Sequence, residues 1–414
     1  MAARAPHCLS MTLALSVLVG LSAFCIGDVG LRQASAAPPA ADAVAPADLG
    51  TQIDAVLKKA GLLDPNSPVK VGISVVDLES GKTLYSHDAD VALNPASNTK
   101  LVTTAAALHI LGPEHRYATR IWAEGQPVDG VLLGKLYLQG GGDPSLVTGE
   151  LYEMAGSLLA AGVTRIKGPI IVDAGRFDHD GLPPGFEQKD EFASHRAPGG
   201  AMSVNYNTYE VHVAAAKAAG GAPQLVLEPP VADIVIENEA KTVAGKRNKL
   251  WFSTAEKGGK TVVTVHGDIG VEAPRTSYRY PVTDPSRYAG ELLVLALKQR
   301  GIKIDKASVS TGDVPDDAEL LVTFRSETLS ELCRGVNKYS NNFMAEQILR
   351  TLAPGDGATA AAALELVRTY TRDAGMNQDG LVIGNGSGLY ANNLVSAGAK
   401  TTLLAHVYGD LPIR

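Results

Sequence analysis

The sequence predicts an α+β protein in which a helix-rich domain is split by a large β-rich insertion. Three observations carry this prediction. Helical periodicity marks residues 48–115 and again 277–414, while short alternating segments fill 116–276. A length of 414 residues is too great for one simple core, so two or three domains are expected. The composition, 45% hydrophobic and 20% charged, is that of an ordinary globular chain.

The N-terminus reads as an export signal. Arg4 and His7 precede an apolar run from Cys8 to Gly27, and Ala34-Ser35-Ala36 supplies small residues at signal-peptidase spacing. Left uncleaved, that run is long enough to span a membrane. The small-residue site favours cleavage, which makes 1–36 a signal peptide and leaves no membrane span afterwards. Cys25 would suit lipid attachment, but Phe24 is large where such sites carry a small residue. Residues 37–47 are Ala/Pro-rich and form a flexible tether.

A helix is expected from Asp48 to Ala60, with Ile53, Val56 and Leu57 on one face and Gly61 as its stop. Val69, Val71, Ile73 and Val75 alternate as a strand, Glu79-Ser80-Gly81-Lys82 turns, and Thr83 opens a second strand. A helix runs from Ser97 to Leu111 and ends at Gly112-Pro113. Within the β-rich stretch, strands are expected at Lys135–Leu138, Ile170–Asp173, Tyr209–Val213, Leu225–Glu228, Ile234–Glu237 and Val262–His266. One helix near Leu146–Ala161 interrupts them. Asp284-Pro285 is an N-cap and first-turn proline for a helix ending at Gly301. Ile302–Ile304 and Leu320–Thr323 look strand-like, Thr328 and Glu331 form a capping box, and Met344, Ile348, Leu349 and Leu352 share a helical face.

Composition narrows the function. Aromatics are only 5% and the formal charge is −7, so neither stacking platforms nor basic patches for nucleic acid are indicated. Beyond the signal peptide the single cysteine is Cys333, on the apolar face Leu329, Leu332, Cys333, Val336, where a core role is expected. The nine His show no His-Glu-x-x-His spacing, and Asp178-His179-Asp180 reads as a solvated turn rather than a cation site. No metal site is expected. Gly140–Gly142 lacks a following Gly-Lys-[Ser/Thr] and is read as a turn.

The chemistry-bearing pattern is Ser97-Asn98-Thr99-Lys100 at a helix start. Positions i and i+3 share a helical face, so the Lys100 amine can reach the Ser97 hydroxyl. Serine is a weak nucleophile without an adjacent base. A lysine can serve as that base if burial or a nearby cation depresses its pKa. Ser67-Pro68-Val69-Lys70 has the same spacing but runs into a strand. Ser340-Asn341-Asn342, between helices, could relay a proton and hold a substrate amide; it also suits a capped polar turn. Ser203-Val204-Asn205 is a chance copy inside the β-rich stretch.

A helix-borne Ser-x-x-Lys followed far downstream by Ser-x-Asn resembles the penicillin-binding protein and serine β-lactamase superfamily. The flanking residues resemble its class C low-molecular-mass branch, the D-alanyl-D-alanine carboxypeptidase/endopeptidase family. They are Asn94 to Leu101, Gly140 to Leu146, Val336 to Gln347, and Gly386-Ser387-Gly388-Leu389 with Asn392 or Asn393. The resemblance covers roughly residues 50–410. It implies a transpeptidase-like domain with the insertion between the first and second motifs. Ser97 would be the acylated nucleophile, Lys100 its base, Ser340 a proton relay to the leaving amine, and Asn342 a ligand for the substrate's peptide amide. No cofactor is implied. Peptidoglycan stem peptides and β-lactam antibiotics are the implied partners, and the periplasm or another extracytoplasmic space the implied location. Two other readings compete: a serine β-lactamase, and a chain that only binds peptidoglycan.

The superfamily's third motif, Lys-Thr-Gly or a close variant, is not found. Lys82-Thr83-Leu84, Lys241-Thr242-Val243, Lys260-Thr261-Val262 and Lys400-Thr401-Thr402 all lack the glycine. The sequence is therefore expected to stop, at Arg414, before that strand, and to have little or no carboxypeptidase activity for want of its lysine and its oxyanion-holding N–H.

Overall fold

The computed structural model describes residues 48–64, 66–189 and 191–410. The expected signal peptide and tether lie outside the described residues. Among the described residues no helix is long and apolar enough to cross a membrane.

The chain opens with α1 (Leu49–Lys59), the hairpin β1 (Ile73–Val76) and β2 (Thr83–His87), and α2 (Thr99–Leu111). The middle contains β3 (Ala118–Ala123), β4 (Val131–Leu132), β5 (Leu136–Gln139), α3 (Thr148–Ala160), β6 (Arg165–Ile166) and β7 (Ile170–Asp173). It continues through β8 (Thr208–Ala214), β9 (Gln224–Glu228), β10 (Ile234–Asn238), β11 (Lys241–Val243), β12 (Asn248–Lys257), β13 (Lys260–Gly270) and β14 (Thr276–Pro281). Then come α4 (Pro285–Gln299), β15 (Lys303–Ile304), β16 (Val309–Thr311) and β17 (Glu319–Arg325). The chain closes with α5 (Leu329–Tyr339), α6 (Asn342–Thr351), α7 (Ala360–Asp373) and α8 (Ala397–Gly409).

The axis of the helical part is α2. Its sequence is apolar or small on nearly every face, and a helix of that kind is stable only when surrounded. Helices α5, α6 and α7 enclose it, and Val102, Ala106, Val336, Ile348, Leu349 and Val367 share one core. Cys333 lies in that core at 3% exposure, and burial pushes its thiol up to about 12, so it packs and does not react. On the other side, α8 rests on β1, with Ser74 Oγ 2.8 Å from Thr401 Oγ1. Caps fall where the sequence puts them. Asp284 accepts from Arg287 N at 3.0 Å, and Thr328 accepts from Glu331 N at 3.4 Å.

The middle is built on a five-stranded sheet, β16-β7-β5-β3-β17, with α3 and α4 packed against it. β3 pairs antiparallel with β5 and β17, while β7 pairs parallel with β5 and β16. Three more sheets belong to the middle: β15-β6-β4, β14-β8-β9, and a group in which β13 pairs with β10, β11 and β12. The border expected at 276/277 is not where this body ends. The sheet continues through β16 and β17, and one hydrophobic core runs from Ile121 to Phe324. After Asp284 the local pattern is helix-rich, and nothing in it reveals that two short strands pair back onto β7 and β3. Seven strands, β3, β4, β6, β11, β12, β14 and β16, also escape the sequence pattern. β12, for example, is polar and exposed along most of its length, so no alternation betrays it.

Entry and exit of the insertion run side by side. Ser326 N donates to Tyr117 O at 3.0 Å, and Tyr117 N donates to Ser326 Oγ at 3.0 Å. A unit with its own core and adjacent ends has what independent folding requires. Residues 117–326 expressed alone are expected to give a single cooperative thermal transition with strand-rich circular dichroism. A non-cooperative melt would show that the insertion depends on the helical part for its fold.

Candidate active site

The turn before α2 is built for an exposed serine. Asn94 Oδ1 accepts from Ala96 N at 2.9 Å, and Ala96 takes a left-handed φ of 47°. Such a backbone costs an alanine free energy, so the surroundings must hold it. Residues Ala96–Asn98 then form a 3-10 turn that leads into α2. Ser97 therefore sits just ahead of the helix, not in its first full turn as the spacing predicts. Its side chain is exposed, and Lys100 is the next step down the same face at 1% exposure.

The Lys100 amine lies within hydrogen-bond distance of three oxygens. These are Ser97 Oγ at 3.2 Å, Asn342 Oδ1 at 2.7 Å and the carbonyl of Ser387 at 2.7 Å. Burial lowers its pKa to about 8, and the nearby charge of Glu346 opposes that shift. An amine so placed exists in both charge states near neutral pH.

The second motif is a helix–break–helix. Ser340 ends α5 with a left-handed φ of 55°, and Asn341 caps α6 by accepting from Met344 N at 3.1 Å. Asn342 is the first residue of α6 and turns its Oδ1 to Lys100. Its Nδ2 has no hydrogen-bond partner among the described residues. Ser97, Lys100 and Asn342 are thus brought together. Ser340 is exposed and makes no hydrogen bond to them among the described residues.

The remaining wall comes from the loop Gly384–Asn393. Asn393 Oδ1 accepts from Gly384 N at 3.0 Å, Asn393 Nδ2 donates to Asn385 Oδ1 at 2.9 Å, and that oxygen also accepts from Gly388 N at 2.9 Å. Gly388 has φ +77°, and a Cβ there would fall 1.8 Å from Ala96 O. The loop can lie against the serine turn only because residue 388 is glycine. Sequence reasoning gave this loop no role beyond a resemblance, and it gave none to Glu346. Both belong to motif strings whose chemistry is invisible until the chain folds.

The insertion braces α6. Gln347 Nε2 donates to Gly200 O at 2.8 Å, and the buried Arg350 pairs with Asp178. The expected solvated turn at Asp178 is thus partly an ion-pair anchor. Ser67 and Lys70 lie on an irregular segment before β1, and the buried Ser203 donates to Gly200 O at 2.8 Å. Gly140 and Gly141 allow close backbone approach, since a Cβ at either would fall within 2.5 Å of a carbonyl oxygen, Ala201 O at 2.3 Å and Ala118 O at 2.4 Å. No cluster of His, Cys, Asp and Glu able to hold a metal occurs among the described residues.

Residues 50–411 match the model of the D-Ala-D-Ala carboxypeptidase 3 (S13) family. The chain is 34% identical over 376 residues to a D-alanyl-D-alanine carboxypeptidase of Actinomadura sp. (strain R39), covering 88% of this chain and 68% of that protein. It is 22% identical over 351 residues to the D-alanyl-D-alanine carboxypeptidase DacB of Haemophilus influenzae, covering 81% of this chain and 71% of the relative. The crystal structure of penicillin binding protein 4 (dacB) from Haemophilus influenzae superposes with a TM-score of 0.70 at 21% identity, over 82% of this chain and 75% of the other. The expected penicillin-binding, transpeptidase-like α+β fold is therefore present. With the match spanning nearly all of the described residues, the chain belongs to the D-Ala-D-Ala carboxypeptidase 3 (S13) family.

Proposed function

We propose that this protein is an exported serine-type D-alanyl-D-alanine carboxypeptidase or endopeptidase that acts on peptidoglycan stem peptides through an acyl-enzyme and is acylated by β-lactams. The observation that carries this reading is the buried Lys100 amine placed 3.2 Å from the Ser97 hydroxyl. Asn342 Oδ1 and Ser387 O can only accept, so they take the two N–H bonds of a neutral amine. The lone pair is then left for the Ser97 O–H, which donates to it. Ser97 Oγ attacks the carbonyl carbon of the scissile peptide bond while Lys100 takes its proton. The C–N bond breaks, and the amine of the leaving D-alanine receives a proton from Lys100 through the exposed Ser340 hydroxyl. Water then hydrolyses the ester. Asn342 Nδ2, which has no hydrogen-bond partner among the described residues, donates to the substrate's peptide carbonyl. Membership of a carboxypeptidase family supports the substrate class.

Incubation with a fluorescent penicillin, followed by peptide mass spectrometry, is expected to place the adduct on Ser97; an adduct on Ser67 or Ser340 would sink the assignment. Lys100→Ala should lower acylation by about a hundredfold to ten-thousandfold, the usual worth of a general base, with melting temperature read alongside. Labelling without D-alanine release would instead favour a peptidoglycan-binding relative, and sustained hydrolysis of the antibiotic a β-lactamase.

The acylation rate should also depend on pH with a definite sign. The free amine is the active form, so the rate rises with pH and is half-maximal near the Lys100 value of about 8. A rate that is flat from pH 6 to pH 9, or falls across it, excludes Lys100 as the base.

Gly388→Ala tests the loop against the serine turn. The left-handed backbone alone costs an alanine roughly 1–2 kcal/mol, and the clash with Ala96 O adds to it. Gly375→Ala is the control, since φ there is +72° but the nearest atom to a Cβ is Thr402 Cγ2 at 3.9 Å. Both variants should melt lower, and only Gly388→Ala should lose penicillin labelling. Equal labelling in the two would show that the loop does not shape the site.

A further inference from the structure

We propose that Glu346 is a positioning residue that fixes both the place and the charge of the Lys100 amine; this rests on the reading of Ser97 and Lys100 given above. Glu346 lies on α6 at 4% exposure, one turn beyond Asn342. Its Oε2 accepts from Gly386 N at 3.0 Å and its Oε1 from Ser387 N at 2.8 Å. The carbonyls of the same two residues face the other way. Gly386 O accepts from Thr103 Oγ1 at 2.7 Å, and Ser387 O accepts from Lys100 Nζ at 2.7 Å. Residues 386 and 387 thus form a strap between α6 and α2, with the N–H groups on the carboxylate and the carbonyls on the helix that carries the base.

A carboxylate suits two convergent N–H donors because both of its oxygens accept. Glutamine offers one acceptor and sets an NH2 against the second donor. The strap is also tight, since a Cβ on residue 386 would lie 3.0 Å from Ala345 O and 3.3 Å from Glu346 Oε2. Without the carboxylate, nothing on α6 would hold the Ser387 carbonyl where Lys100 needs it.

The charges act in the same place. Burial raises the pKa of Glu346, while the strap's hydrogen bonds and the charge of Lys100 lower it. In return the carboxylate raises the pKa of Lys100 against burial. Few other charges face the pair. Arg350, one turn further along α6, is tied to Asp178, and Asp180 lies across a cavity of about 150 Å³ that Pro183, Pro184 and Glu346 also line. Residues 384–393 carry no charged side chain, and His109 is at the far end of α2. On α5 and α7, Lys338 is exposed, and Glu365 pairs with Arg368 on the outer surface.

The test is a titration that needs no turnover. Protein carrying 13C-labelled lysine is titrated by NMR, and the Lys100 signal is assigned by its loss in Lys100→Arg. In Glu346→Gln the midpoint should fall below that of the unaltered protein. In Glu346→Asp, which keeps the charge, it should stay above that of the glutamine variant. The penicillin acylation profile of Glu346→Gln should move to lower pH with the amine. Its plateau should drop by about tenfold to a hundredfold, as displacement of a reacting group by an ångström does. An unmoved Lys100 midpoint in Glu346→Gln overturns the proposal, even if the variant melts lower. Should Glu346→Gln fail to fold, Glu346→Asp decides: acylation lowered by that factor supports the strap, and acylation equal to that of the unaltered protein overturns it. Failure of the underlying reading looks different, because acylation then persists in Lys100→Ala while the Glu346 titration stands on its own.

Discussion

An amine buried at the centre of a helical bundle sets the terms for everything around it. Taking a lysine head group out of water is expensive unless fixed acceptors replace the lost hydration. Lys100 finds acceptors on segments far apart in sequence, Asn342 on α6 and Ser387 in the loop before α8. Each must arrive with its oxygen aimed inward, so the helices that carry them cannot slide independently. The small side chains of α2, among them Ala105, Ala106 and Ala107, let α5, α6 and α7 approach closely enough for those oxygens to reach. The packing of the bundle and the solvation of one amine are the same structural problem.

The loop that supplies Ser387 is short of regular structure and rich in amide side chains. Asn385 and Asn393 do for it what a helix or sheet ladder does elsewhere, satisfying Gly384 N, Gly388 N and Leu389 O from within. It also meets the insertion, where Asn385 Nδ2 donates to Pro184 O at 3.2 Å and Tyr390 OH donates to Glu191 Oε1 at 2.6 Å. The insertion is thus tied to the site through two supports, α6 and this loop. That explains how a domain with its own core can sit between the first and second motifs without loosening the geometry they share.

Much of this was legible in the sequence because it is local. Ser97 and Lys100 share a face by helical spacing, Asp284 and Thr328 announce their helices by capping chemistry, and Cys333 declares itself core by its position among Leu329, Leu332 and Val336. What was not legible is non-local. The pairing of β16 and β17 onto the strands of the insertion has no signature in either strand, and β12 hides behind polar residues. Glu346 illustrates the limit most clearly. In the sequence it is an acidic residue beside Gln347 on α6, and nothing local assigns it a role. Only the fold places Gly386 N and Ser387 N against it and turns a surface-like residue into a buried one.

The second motif sets three adjacent residues in three different surroundings, and the backbone makes the division possible. A continuous helix through Ser340 would rotate successive side chains by a hundred degrees or so and carry Asn342 away from Lys100. The single left-handed residue at Ser340 ends α5, and Asn341 starts α6 in a new direction by capping it. Asn342 then points into the bundle and Ser340 outward to solvent. A left-handed serine is uncommon, and its free-energy cost is carried by the two helices that meet there. The same break keeps the Ser340 hydroxyl free of the hydrogen bonds that a helix interior would impose on it. It is therefore accessible to a group arriving from solvent.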